Sequence, residues 1–175
     1  METEYEVKIL GINVSDVILK IAKLKFKEPK VLDFRRYVYD IKAGDSAWLR
    51  LRTDSKKTTL TYKNFIKNAV DGVQELEIKV DDFEKTHELL LTLGYEYTAY
   101  QENRRTLYEN DEIELAIDEW PHIEPYLEIE GKNKEVVEKY IKLLDLTSYK
   151  KTSESTTSVY KMQGLNIEDY KNLTF

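Results

Sequence analysis

Residues 4–8 read EYEVK and residues 75–79 read ELEIK. In both, charged side chains alternate with apolar or aromatic ones, the period of an extended strand with one charged face and one dry face. The same alternation recurs in WLRLRT (48–53), TLTYK (59–63), ELAID (114–118) and YLEIEGK (126–132). One such strand would be an ordinary solvated edge. Repeated along the chain, with acids gathered on some strands and bases on others, the pattern asks for a common charged face.

Working outward, eight strands are expected, at 3–10, 33–41, 46–53, 57–66, 73–80, 98–109, 111–118 and 125–131. Asp54-Ser55-Lys56 and Asn110-Asp111 read as turns, the second closing a tight hairpin in LYENDEIEL. Helical spacing appears in VSDVILKIAKLKF (14–26), capped by Ser15 or Asn13, and in FEKTHELLLTLG (83–94) behind Asp81 or Asp82. KEVVEKYIKLLDL (134–146) is a third helix, and the tail from 154 to 173 is helical in part, with Gly164 as a break. The fold expected is α+β: an eight-stranded antiparallel barrel with flanking helices. No linker divides the chain, so residues 1–175 are expected to form one domain.

Composition closes several routes. The chain has no cysteine, so thiolate metal sites and disulfides are excluded. The glycines are scattered, leaving no P-loop or dinucleotide fingerprint, and His87 and His122 stand too far apart for a helical zinc pair. A net charge of −6 argues against general nucleic-acid binding. No apolar run approaches the ~18 residues of a membrane helix, and no signal peptide is evident, so a cytoplasmic protein is expected. The thirteen tyrosines read as core or rim residues of strands.

In a closed barrel the charged faces turn inward. The lumen would carry carboxylates from EYEVK, ELEIK and YLEIEGK, with Arg50, Arg52, Lys63 and Arg105 from the basic strands. Dense carboxylates invite hard divalent cations with oxygen ligands, and ranked Arg and Lys invite phosphate. Together they point to a metal-bound polyphosphate.

Taken in order, Glu-x-Glu-x-Lys, Leu-Arg-x-Arg, a strand Lys, a second Glu-x-Glu, Arg-x-x-Tyr and Leu-Glu-Ile-Glu resemble the CYTH superfamily, the triphosphate tunnel metalloenzymes. The resemblance runs from Glu4 to about Tyr160. It implies a Mg²⁺ or Mn²⁺ site at Glu4, Glu6, Asp118, Glu128 and Glu130, and triphosphate contacts at Lys8, Arg50, Arg52, Lys63 and Arg105. Glu6, Glu77 and Arg105 are the residues it assigns to the chemical step, with Glu75 in support. The implied activity is metal-dependent hydrolysis of a small triphosphate-bearing molecule, without nucleic-acid or membrane partners; a homodimer is left open. An adenylyl cyclase and a non-catalytic polyphosphate-binding module are the alternatives. Cyclase members carry a Lys two residues before the Arg that matches Arg105, where this chain has Asn103.

Overall fold

The computed structural model describes residues 5–41, 47–65 and 73–175. In chain order the elements are β1 (Tyr5–Leu10), α1 (Val14–Ile21), β2 (Lys30–Asp40), β3 (Ala47–Thr53), β4 (Thr58–Phe65) and β5 (Val73–Val80). These are followed by α2 (Phe83–Thr92), β6 (Tyr97–Glu109), β7 (Ile113–Glu119), β8 (Tyr126–Gly131), α3 (Lys134–Leu143), β9 (Lys150–Thr152), α4 (Thr156–Met162) and β10 (Asn172–Leu173).

All eight expected strands are present, and two short ones join them. The strand order is β5-β4-β3-β2-β6-β7-β8-β1-β9, with β10 pairing in parallel to β6. The main ladders are antiparallel, as expected. Barrel closure is a different matter: among the described residues no ladder joins the end strands β5 and β9, so hydrogen bonds do not close the sheet. At three residues, β9 spends its pairing on β1. No helix among the described residues is long and apolar enough to cross a membrane.

By contact density the chain forms two compact units: residues 1–32 with 103–167, and residues 33–102 with 168–175. In the first, one face of β1, β7 and β8 delivers Ile9, Leu115, Leu127 and Ile129 to a core. That core is covered by Val17 and Ile21 of α1 and by Val137, Tyr140 and Ile141 of α3. In the second, Tyr39, Leu51, Phe83 and Leu90 form the core under α2.

Local chemistry sets the element ends. Asn13, Asp82, Asn133 and Ser155 are the N-caps, each side chain accepting a backbone N–H from the first turn. α1 stops at Ile21, five residues before its expected end. Lys23 and Leu24 turn back onto Lys20 and Ile21 through i to i−3 bonds, and Phe26 then packs edge-on against Tyr108 and Tyr140. A longer helix would carry Phe26 off that contact. The hairpin between β6 and β7 closes on Asn110, whose side-chain oxygen accepts from the N–H groups of Glu112 and Ile113 at 2.9 and 3.0 Å. At the Asp54 turn the side chain accepts from Lys56 and Lys57, which lets Ser55 adopt φ 72°.

Candidate functional site

In the first unit, register does the assembly. β1 and β8 pair Glu6 with Glu130 and Lys8 with Glu128. Directly opposed residues share a face, so EYEVK and YLEIE set their acids side by side while Val7, Ile9, Leu127 and Ile129 fill the core behind. β7 then sets Glu114 opposite Glu130 and Asp118 opposite Tyr126, and β6 sets Arg105 opposite Asp118.

Carboxylate oxygens of Glu6, Glu128 and Glu130 all lie within 4.8 Å of one another. Glu128 is buried, and so is Lys8, at 5% exposure. Three carboxylates this close repel unless something positive stands among them. The Lys8 ammonium bonds Glu6 and lies 3.3 Å from Glu128.

Arg105 answers a second group of acids. Its Nε and Nη2 donate to the two oxygens of Asp118 at 2.8 and 2.6 Å, and Nη2 also reaches Glu128 at 2.8 Å. Asp118 is 1% exposed, so this fork is what makes a buried charge tolerable. Burial works against the guanidinium charge, but Asp118 and then Glu128 outweigh it and hold the Arg105 pKa above its ordinary range. Glu6, Glu128 and Glu130 offer a donor set that is all carboxylate oxygen, which fits a hard divalent cation.

In the second unit the ladders align Arg36 with Arg52, Arg50 with Thr61 and Trp48 with Lys63. On β4 and β5 they align Thr61 with Glu77 and Lys63 with Glu75. This face mixes signs more than the sequence reading expects. Lys63 Nζ lies 2.9 Å from Glu75, and Arg50 Nη2 lies 3.9 Å from both Glu75 and Glu77. Arg50 Nε is buried and has no hydrogen-bond partner among the described residues. Burial is the leading cause of its lowered pKa, against the pull of the two glutamates. Glu77 accepts from Thr61 Oγ1 at 3.1 Å and lies 3.5 Å from Lys57. Desolvation would raise its pKa, but the Thr61 bond and the charges of Lys57 and Arg52 lower it on balance. The Arg52 guanidinium lies over the Phe34 ring, 5.1 Å from its centre.

Of the residues expected in the site, Glu6, Lys8, Arg105, Asp118, Glu128 and Glu130 converge in the first unit, and Arg50, Arg52, Lys63, Glu75 and Glu77 share one face of the second. Glu4 lies outside the described residues. Asp118 gives both oxygens to Arg105, whose Nη2 also reaches Glu128. Sequence reasoning passed over Glu114 and Arg36, although the period-two steps Glu114–Ala116–Asp118 and Phe34–Arg36–Val38 carried the signal.

The family model of the CYTH domain matches residues 2–159. A Methanocaldococcus jannaschii protein, whose name gives adenylate cyclase as a candidate activity, is 25% identical over 93% of this chain and 99% of its own length. Among solved structures, a conserved hypothetical protein of Pyrococcus furiosus aligns with TM-score 0.66 and 22% identity, over 85% of this chain and 95% of that one. A Hippeastrum protein, described as a candidate adenylyl cyclase with dominant triphosphatase activity, aligns with TM-score 0.64 and 18% identity over 97% of this chain and all of its own. An inorganic triphosphatase aligns with TM-score 0.53 and 21% identity, over 95% of this chain and 97% of that one. At these identities the structural matches speak to the fold.

Proposed function

The chain belongs to the CYTH domain family, and from that premise we propose that it is a metal-dependent phosphoanhydride hydrolase acting on a small triphosphate-bearing molecule. The observation that carries this reading is the convergence of Glu6, Glu128 and Glu130 within 4.8 Å.

In this reading Glu6, Glu128 and Glu130 would hold Mg²⁺ or Mn²⁺. The cation supplies Lewis acidity and positive charge at the phosphate. Lys8 stands among the acids, offsets their charge and would offer an N–H to phosphate oxygen. Arg105 fixes the orientation of Asp118 and offers its remaining N–H groups to the substrate. Arg50, Arg52 and Lys63 bind phosphate oxygens; the unsatisfied Arg50 Nε is the donor with most to gain from an anion. Glu77, held ionised by Thr61 and Lys57, would support the cation or the attacking water with its charge. Positioning and charge complementarity are most of what phosphoryl transfer asks of a protein.

The names of two relatives favour a second reading, an adenylyl cyclase acting on ATP. Asn103 weighs against it, since a buried neutral amide occupies the position where cyclases carry a Lys. One experiment separates the readings. Tripolyphosphate, ATP and thiamine triphosphate are incubated with the protein and Mg²⁺ or Mn²⁺, and orthophosphate is resolved from pyrophosphate plus cyclic AMP. Orthophosphate is expected; cyclic AMP would make the chain a cyclase, and no turnover of any substrate would leave a binding module.

A further inference from the structure

β1 works on both faces. Behind Glu6 and Lys8, its Tyr5 and Val7 line a cavity of about 410 Å³, walled by α3 and by the segment from Thr147 to Ser153. The size lies at the small end of the range for ligand sites. Val7, Val137 and Ile141 supply apolar lining, the last two almost fully buried. Three lysines, Lys134, Lys142 and Lys151, stand around it against a single acid, Glu138. Glu138 lies 3.7 Å from Lys134, which leaves the other two ammonium groups as the surplus charge.

Lys151 is already aimed. Its Nζ donates to the carbonyl oxygens of Thr147 at 2.6 Å and Tyr149 at 2.9 Å, leaving one N–H of three to give. An apolar floor under a basic rim matches one kind of small molecule: a single short apolar chain ending in an anionic head. We propose that this cavity is a binding site for a compact amphipathic carboxylate, with the tail on Val7, Val137 and Ile141 and the head at Lys142 and Lys151.

The site lies one strand from the clustered glutamates. Thr152 pairs with Lys8 in the β9–β1 ladder, and Ser153 Oγ donates to the backbone oxygen of Glu6 at 2.8 Å. A ligand that moves the 147–153 wall therefore reaches the backbone that aims Glu6. Neither the pocket nor this link depends on which reaction the glutamates support.

The test uses decanoate as probe and the decyltrimethylammonium ion as its charge-reversed control, each titrated below micelle formation. Binding is read from the methyl resonances of Val7, Val137 and Ile141 and from the Glu6 and Ser153 amides of the whole chain. Saturable shifts of these methyls with decanoate alone are expected, accompanied by the Glu6 amide. The Lys142→Glu, Lys151→Glu double variant, at two exposed positions that leave the core intact, should weaken binding at least tenfold. Equal binding of both head groups, unchanged affinity in that variant, or shifts confined to other core methyls such as Leu51 and Leu90 would overturn the site. Methyl shifts without movement of the Glu6 amide would overturn the link to β1.

Discussion

At the scale of single residues, the charged groups of the first unit are held by one another. Removing one therefore tests either chemistry or stability, according to which neighbour is left behind. Glu6→Gln keeps shape and takes a charge from the glutamate cluster; Glu6, like Glu130, is a partly exposed member, so the fold should survive. We expect turnover with Mg²⁺ or Mn²⁺ to fall roughly a hundredfold or more, the scale of losing one electrostatic contact at the reacting centre, with the melting temperature little changed. Arg105→Ala is a different experiment. It strands Asp118, 1% exposed, as a buried charge without its fork. Breaking such a pair costs about 3–5 kcal/mol, so urea denaturation should show a large loss of stability alongside the loss of activity. Arg105→Ala, Asp118→Asn together should recover part of that stability but none of the turnover.

At the scale of elements, β3 shows how a strand's period becomes a function. Arg50 and Arg52 face the same way because the residue between them, Leu51, is fully buried in the core. Arg52→Ala should weaken tripolyphosphate binding by 2–5 kcal/mol if the guanidinium meets phosphate in a desolvated contact; calorimetric titration in the absence of metal measures it. The α3 cap offers a purely structural counterpart. Asn133→Ala removes the acceptor for the Val136 N–H and should cost about 1 kcal/mol, with the catalytic constants unchanged.

The elements were legible in the sequence to the extent that periodicity reaches. Eight strands announce themselves by alternation over six residues or more; β9, three residues, and β10, two, are too short to show any period. The end of α1 was hidden because Lys23, Leu24 and Phe26 continue a helical spacing that the Tyr108 and Tyr140 rings override. The acidic and basic strands were visible one by one. Their meeting was not, since only register reveals that Glu130 adjoins Glu6 and Glu114, or that Asp118 is spoken for by Arg105.

For the whole molecule, pH links the second unit's site to its stability. His87 stacks on Tyr37 with ring centres 3.7 Å apart and shares a 2.7 Å hydrogen bond with the Tyr39 hydroxyl. Burial lowers its pKa below the ordinary 6.5, only partly countered by Glu84. The unfolded chain then takes up this proton first, so the stabilisation is complete above pH 6.5 and is lost as pH falls through the lowered value. Glu77 behaves alike on a lower window: its pKa lies under the ordinary 4.5, so its contribution is present above 4.5 and disappears as pH falls further. Both trends run the same way. Urea midpoints should be level above neutrality and decline on the acid side, and His87→Phe should remove the upper part of the decline while leaving the part below 4.5.

The β1–β8 ladder also has a consequence in time. Glu6 leaves the ribosome more than 120 residues ahead of its ladder partner Glu130, roughly 6–25 s at ordinary rates of synthesis. For that interval β1 has neither β8 nor β9 to pair with, and its Glu6 is an isolated acid on an open strand. A cation therefore cannot template the early chain; it can only reward a finished one. A nascent chain arrested before Tyr126 should bind Mn²⁺ no better than unfolded polypeptide, and tight binding should switch on within the few residues that complete β8. A cation site of this kind would then fill only after β8 has joined β1.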